Sequence, residues 1–306
     1  MKEKKISIII PAYNEQKAIG KTLNVLVKEY SDVAEIIVIN DGSTDETPEI
    51  IRQFKEVRLI NHRHNHGYGA SLKSGIHYAT TDLVCFYDAD DQHHSKDIQR
   101  FIQEIDNADM VIGSRGLSAF KNWHRAPGKL VLHFISNFLV QKNIPDLNSG
   151  FRIVKRDILL RYIHLLPQGF SASTTMTMAF LSRGYEVKFI PISVKKRIGK
   201  SQVKQLRDGF NTLKLILRLI MLFNPLRFFV PFGFMFISLG MLYGIYKVFT
   251  NNLLGFPVGA LLIVLTGMFS FIFGLLADQI SALRLERFEK IDYLKHLDSS
   301  QEELFL

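Results

Sequence analysis

Asp88 and Asp90 stand two residues apart just beyond an apolar run, Leu83 to Tyr87. In an extended backbone, residues two apart point to the same side, so both carboxylates can share one cation. With the amide oxygen of Gln92 they form an all-oxygen donor set. Such a set suits Mg2+ or Mn2+, hard ions that bring substrate phosphates with them. An Asp-x-Asp pair also occurs in solvated acidic turns, and the strand-end position is what favours the metal. His93 and His94 follow directly, but with no thiolate partner and no His-x-x-x-His spacing they do not make a zinc site and are expected at the surface.

Other polar clusters are distributed in the same way. Asp41 follows the run Glu35 to Asn40, where a carboxylate can hydrogen-bond a base or a ribose. Ser43 and Glu46 beside it fit a capping box for the next helix. The glycines of Asn65-His66-Gly67-Tyr68-Gly69-Ala70 let the backbone approach a ligand or simply turn a strand into a helix. No GxxxxGK[ST] occurs and no GxGxxG follows the first strand, so ATP hydrolysis and dinucleotide chemistry lose support. From Met110 to Tyr185 the only carboxylates are Asp146 and Asp157, among many basic residues that include Arg115, Arg125, Lys129 and Arg152. Such a half suits an anionic acceptor. Arg197-Ile198-Gly199-Lys200-Ser201 can meet an anionic group at membrane level or serve as a basic anchor.

The elements that would position these residues alternate. Strand-like runs at Ile6 to Ile10, Glu35 to Asn40, Val57 to Asn61, Leu83 to Tyr87 and Met110 to Gly113 are separated by helical patterns. Those patterns cover Gln16 to Tyr30, Asp45 to Phe54, Ala70 to Ala79 and Lys96 to Asn107. This rhythm predicts a mostly parallel, Rossmann-like α/β sheet, with the ligand beyond the carboxyl ends of the strands. The strand-end clusters Pro11 to Glu15, Asn40 to Ser43, Asn65 to Ala70, Asp88 to Gln92 and Gly113 to Arg115 then share one edge.

Beyond the globular part, apolar residues at helical spacing from Gln202 to Phe223, interleaved with Lys204, Arg207, Lys214 and Arg218, predict a basic helix at a membrane interface. Phe228 to Val248 and Pro257 to Ala277 are nearly unbroken apolar runs, each about the 20 residues needed to span hydrocarbon. Basic residues flank the pair on both outer sides, which predicts two spans with both termini and the large domain cytoplasmic, at the cell membrane. The first residues contain no signal-peptide pattern, and the single cysteine, Cys85, fits a reducing compartment. The net charge of +9 matches an anionic membrane or substrate. Nucleic acid is not expected, because the basic residues are spread along the chain. The expected division is residues 1–201, catalytic; 202–227, amphipathic; 228–280, two spans; and 281–306, a cytoplasmic tail.

Seven motifs in order resemble the family-2 glycosyltransferases of GT-A fold, of the polyprenyl-phosphate type that includes dolichyl-phosphate mannose synthases and bacterial lipid-linked glucosyltransferases. They are Pro11-Ala12-Tyr13-Asn14-Glu15, Asn40 to Asp45, Asn65 to Ala70, Asp88 to His93, Gly113-Ser114-Arg115, Ser149-Gly150-Phe151-Arg152 and Arg197 to Ser201. The resemblance implies that Pro11, Tyr13, Glu15 and Asp41 hold the nucleoside of a nucleotide-sugar donor, with the Asp88-Ala89-Asp90 turn beside it. Asp88, Asp90 and Gln92 would bind the metal. Arg115, Arg125, Lys129, Arg197, Lys200 and Ser201 would surround the diphosphate and the phosphate of a polyprenyl acceptor. The implied reaction is inverting transfer of a hexose, with homo-oligomeric assembly left as an option. Two rival readings remain. One is transfer to a sugar hydroxyl with Asp146 as base, and the other a noncatalytic membrane-anchored binding protein.

Overall fold

A computed structural model of the chain describes residues 5–115, 126–169, 171–195, 205–251 and 255–302, with 126–130, 132, 205–213, 251 and 284–302 described by backbone alone. The chain forms two compact units, Met1–Thr212 and Leu213–Leu306.

In the first unit, β1 (Ile6–Ala12) is buried along almost its whole length, the pattern of a strand covered on both faces. It lies between β2 (Ala34–Asn40) and β4 (Leu83–Phe86), parallel to both, and β3 (Val57–Asn61) extends the sheet beyond β2. Helix α1 (Ile19–Tyr30) buries Ile19, Leu23, Leu26 and Tyr30, spaced three or four apart, in the core that holds Ile8, Ile10 and Val38. The remaining connections are α2 (Thr47–Arg52), α3 (Tyr68–Tyr78) and α4 (Lys96–Glu104), the last extended by a 3-10 turn at Ile105–Asn107.

The second half of the sheet is where the chain departs from simple alternation. After β5 (Met110–Ser114) and α5 (Ala126–Val140), strand β6 (Arg152–Lys155) inserts antiparallel between β4 and β5. Helices α6 (Arg156–Tyr162) and α7 (Ala172–Ser182) follow, and β7 (Val187–Pro191) pairs parallel with β5 at the edge. Among the described residues the sheet has seven strands in the order β3-β2-β1-β4-β6-β5-β7. Because β6 runs the other way, its beginning lies at the edge where the parallel strands end, with Arg152 paired to Phe86 and Ile112. The turn before β6 is thereby delivered to the same edge as the ends of β4 and β5.

The expected capping box does not form. Asp45, not Ser43, accepts the Thr47 backbone N–H at the start of α2. Ser43 Oγ instead accepts the Asn14 N–H at 3.0 Å, while Asn14 Oδ1 accepts the Thr44 N–H at 2.8 Å. Asn14 pays for this with a left-handed backbone, φ 54°. The loops after β1 and β2 are thus stitched together, an arrangement that needs residues 30 apart and so escapes a local capping rule.

In the second unit, helices α9 (Pro225–Asn251) and α10 (Val258–Glu302) form an apolar hairpin. Each contains a 26-residue stretch long and apolar enough to cross a membrane, Pro225–Thr250 and Val258–Leu283, with fewer than a quarter of the residues buried. The helices meet through small residues. A Cβ at Gly267 would lie 2.7 Å from the Gly233 carbonyl oxygen, and one at Gly240 would lie 2.9 Å from Val264 N. Helix α8 (Gln205–Phe223) occupies the expected amphipathic segment and buries Ile216, Leu219, Ile220 and Leu222. The segment 281–306, expected as a tail, begins as the continuation of α10 to Glu302. The boundary between the two compact units falls within α8, at Thr212.

Candidate active site

Four of the polar clusters do converge at the carboxyl ends of β1, β2, β4 and β5. Pro11 and Ala12 lie in β1, opposite Ile39 and Asn40 of β2. Tyr13 and Glu15 follow, both part-buried, and the Glu15 N–H donates to Thr47 Oγ1 at 2.9 Å. Asp41 is buried, and both oxygens of its carboxylate take part in hydrogen bonds within the protein. Its Oδ1 accepts the His66 N–H at 3.0 Å and contacts His62 Nδ1 at 2.7 Å, and Oδ2 accepts the Gly67 N–H at 2.8 Å. These bonds hold the turn before α3. That turn needs a residue without a side chain, because Gly67 has φ 97° and a Cβ there would lie 2.7 Å from the Gln168 carbonyl oxygen.

The Asp88-Ala89-Asp90 turn begins two residues beyond β4. Ala89 is buried and its carbonyl accepts the Thr22 hydroxyl at 3.1 Å, which ties the turn to α1. Asp88 keeps about a third of its side chain exposed. Its Oδ2 is 3.1 Å from His93 Nε2 and its Oδ1 accepts the Tyr68 hydroxyl at 3.4 Å. Burial pushes the Asp88 carboxyl up, but the hydrogen bonds from His93 and Tyr68 and the charge of Arg115 outweigh it and hold the group below its ordinary value. Asp90 is buried and accepts the Gln92 N–H at 3.2 Å. Gln92 donates its side-chain amide to the Lys195 carbonyl at 3.2 Å, so its amide oxygen is the atom left for a cation.

His93 is not the surface residue expected from the sequence. Its side chain is only 5% exposed, its ring lies 4.7 Å from that of Phe151, and its Nδ1 is buried with no hydrogen-bond partner. An unpartnered Nδ1 costs least when unprotonated, which assigns the ring proton to Nε2 and makes His93 a donor to Asp88. His94, by contrast, is exposed. Tyr68 and His93 together orient Asp88, and the only sequence signal for them was membership of motifs centred on their glycine and aspartate neighbours.

Arg115, directly after β5, forms a two-pronged ion pair with Asp146. Nε donates to Oδ2 at 2.8 Å and Nη2 to Oδ1 at 3.0 Å, and the Arg115 backbone N–H adds a third bond to Oδ2 at 3.1 Å. The Asn148 N–H gives Asp146 a fourth, at 3.2 Å. Burial raises the Asp146 carboxyl, and these bonds with the charge of Arg115 reverse that and leave it below the ordinary carboxylate value.

Arg152, counted among the acceptor-side cations on sequence, is completely buried. It donates to the carbonyls of Ser149 and Ser173 and to Thr177 Oγ1, which locks the turn before β6 against α7. Burial draws its pKa down to about 10. That turn carries Gly150, where a Cβ would lie 2.8 Å from the Tyr68 hydroxyl and 3.0 Å from Asp88 Oδ2. Gly150→Ala is therefore expected to displace Asp88 and lower turnover roughly 100-fold, with a stability loss of only about 1–2 kcal/mol in urea unfolding. Of the other proposed phosphate-binding residues, Arg125, Arg197, Lys200 and Ser201 lie outside the described residues, and Lys129 is described by backbone alone.

A mostly parallel, Rossmann-like sheet with paired carboxylates after its central strand β4 and an arginine after β5 is an architecture of the GT-A type. The chain belongs to Glycosyl transferase family 2, which it matches over residues 7–163, and residues 224–283 match the GtrB C-terminal hairpin. It is 27% identical over 208 residues to a dolichyl-phosphate hexose transferase of Haloferax volcanii, covering 67% of this chain and 89% of the relative. It is also 34% identical over 184 residues to a UDP-N-acetylglucosamine–dolichyl-phosphate N-acetylglucosaminyltransferase of Methanococcus voltae, covering 52% and 72%. A glucosyl-3-phosphoglycerate synthase from Mycobacterium tuberculosis, solved with Mn2+, UDP and its product, shares the fold at TM-score 0.56 and 18% identity, over 71% of this chain and 79% of that one.

Proposed function

We propose that this glycosyltransferase moves a hexose, with inversion, from a UDP- or GDP-sugar to a polyprenyl phosphate at the cytoplasmic face of the cell membrane. The observation that carries the reading is the state of Asp146. Transfer to a sugar hydroxyl needs a base, and this carboxylate, the one assigned that role on sequence, already accepts four hydrogen bonds and is held below its ordinary pKa. A phosphate acceptor is ionised near neutral pH and attacks without a base. Relatives that act on dolichyl phosphate and an apolar hairpin in the same chain support a lipid acceptor.

Asp88, Asp90 and the Gln92 amide oxygen fit a hard divalent cation, Mg2+ or Mn2+. Among the described residues no group of three or more His, Cys, Asp or Glu side chains could hold a metal by itself. Two carboxylates leave coordination places for donor phosphates, as Mg2+ sites commonly do. Bound there, the ion would neutralise charge on the departing nucleoside diphosphate. The protein's own part is positional: His93 and Tyr68 keep Asp88 ionised and aimed, and Asp41 shapes the loop beside the nucleoside. Pro11, Tyr13, Glu15 and Ala89 line the donor side. Arg115, held by Asp146, is the described residue assigned to the phosphates, and Arg125, Lys129, Arg197, Lys200 and Ser201 are the further phosphate-binding residues that the family resemblance implies.

The test is transfer of labelled sugar from a panel of UDP and GDP donors to undecaprenyl phosphate in detergent, scored as label in the organic phase. Label that depends on Mg2+ or Mn2+ and disappears with EDTA is the expected result. Donor turnover only when a saccharide is added would overturn the lipid-phosphate reading, and absence of any metal-dependent donor binding would favour the noncatalytic anchor.

A further inference from the structure

We infer that Asn148 recognises the transferred hexose, its side-chain Nδ2 donating a hydrogen bond to a hydroxyl oxygen of the sugar. The inference rests on the nucleotide-sugar reading of the preceding section and adds a residue outside the donor, metal and phosphate sets named there.

The basic, aromatic excursion between β5 and β6 returns to the sheet through the turn Asp146 to Phe151. Most of that turn is committed to holding itself in place. Asp146 is clasped by Arg115, and the Ser149 carbonyl accepts from Arg152. Leu147 and Phe151 are buried, and so is the Ser149 hydroxyl, which is closed to a ligand. Asn148 is different. Its side chain is exposed, and it stands in the chain midway between Asp146, which holds Arg115, and Gly150, which abuts Asp88 and the Tyr68 hydroxyl.

Exposure does not leave this side chain loose. The Asn148 backbone N–H donates to Asp146 Oδ1 at 3.2 Å, and the side-chain Oδ1 accepts the Thr174 hydroxyl at 2.6 Å. That distance is short for an N–H···O bond and ordinary for O–H···O, which places the amide oxygen on the Thr174 side and turns the NH2 group away from it. Thr174 is a firm anchor, because α7 is buried at every residue from Ala172 to Leu181. Among the described residues no protein acceptor takes the NH2 hydrogens of Asn148. The result is an oriented, uncharged donor held ready beside the residues that would bind the cation and the phosphates.

The chemistry of that donor selects its ligand. Arg115 and Asp146 already form a pair, and the remaining nearby charge, Asp88, is negative. A phosphate has the cation and Arg115 to bind, whereas an amide NH2 suits a neutral oxygen. The neutral, hydroxyl-bearing part of the donor is the hexose, and it is covalently joined to the diphosphate that the cation on Asp88 and Asp90 would hold. A site that hydrogen-bonds a substrate hydroxyl through a fixed group discriminates against a sugar that lacks it.

Donor binding to the full-length protein in detergent, measured by calorimetry with Mn2+ and with no lipid present, isolates this contact. The probes are UDP-glucose, UDP-N-acetylglucosamine and GDP-mannose, each compared with free UDP or GDP. For the sugar nucleotide that the parent binds, Asn148→Ala is expected to weaken binding roughly five- to tenfold, with the free nucleoside diphosphate changed less than about twofold. The substitution keeps the backbone bond to Asp146, so the turn is retained. Thr174→Val, which releases the amide, is expected to produce part of the same loss, and Thr174→Ser, which keeps the hydroxyl, to restore parental binding. Equal weakening of sugar nucleotide and free nucleotide overturns the inference, because the damage then lies in the diphosphate or metal site. Unchanged binding of both also overturns it, and a raised KM for polyprenyl phosphate in that case would move Asn148 to the acceptor phosphate. A parent that binds none of the three probes removes the nucleotide-sugar reading and this inference with it. Because no acceptor is present, a failure of the lipid-phosphate reading in the organic-phase assay leaves the binding result standing.

Discussion

Asp90→Ala is expected to reduce sugar transfer to polyprenyl phosphate by about three orders of magnitude, equivalent to ~4 kcal/mol of transition-state stabilisation. The carboxylate lies in the turn beyond β4 and outside the apolar core, and the register of β4 against β1 and β6 does not depend on it. Thermal unfolding of the variant is therefore expected within a few degrees of the parent. Asp90→Asn separates charge from shape: it keeps the acceptor for the Gln92 N–H and loses the negative charge that a divalent ion requires. Transfer by the Asn variant is expected to recover only partly, and only at raised Mn2+. Retention of a tenth or more of the activity by Asp90→Ala, with normal metal dependence, would remove Asp90 from the cation site.

The second large effect belongs to Asp146. Removing one partner of a buried ion pair leaves the other charge uncompensated, typically at a cost of several kcal/mol. Arg115 retains partial exposure, 31% of its side chain, so water recovers part of that. Asp146→Asn is expected to destabilise the catalytic unit by about 2 kcal/mol in urea unfolding and to lower kcat by about 100-fold as Arg115 loses its orientation. The pH dependence distinguishes this from the loss of a base. The folded-state pKa of Asp146 is depressed, so its contribution to stability is present in full above the unfolded value, near ~4, and is lost as pH falls through the lower folded value. Near neutral pH the carboxylate stays ionised, and the variant is expected to keep the shape of the pH-rate profile. A variant with parental stability, normal donor binding and no transfer would instead promote Asp146 to general base and with it a hydroxyl acceptor.

The first half of the fold was legible because it is local. Alternation of Ile and Val runs with helical spacing located β1 to β5 and α1 to α4 within a few residues, and the rule for parallel sheets put the polar clusters on one edge. After β5 the legibility ends for a physical reason. Strand β6 is only four residues long, begins with a buried arginine and takes its partners from β4 and β5, so no alternation in its own letters announces it. The same long-range pairing explains the site residues that sequence reasoning misplaced. Arg152 reads as one more cation of a basic stretch, and the burial that removes it from the surface depends on acceptors brought from α7 as well as from the turn before β6. His93 reads as exposed because its neighbours are polar, and the ring that covers it, Phe151, is almost 60 residues away. Asp41 stands where the sequence puts it, at the end of β2, but its contacts with the loop before α3 join residues about 25 apart and are not announced by its neighbours.

The strand order has a consequence for how the chain assembles during synthesis. Strands β1 to β4 are neighbours of one another in the order β3-β2-β1-β4, so the first third of the chain emerges with every strand already beside a partner. Strand β5 has no such opportunity. Its only neighbours, β6 and β7, both come later, and β4, its predecessor, never touches it. Between the appearance of β5 and that of β6 the ribosome must deliver the whole basic, aromatic excursion with an unpaired apolar strand at its root. An unpaired strand of this kind is a template for misassociation. The half of the sheet that carries Arg115 is thus the last to close, and for that interval it is the part of the nascent chain most in need of shelter.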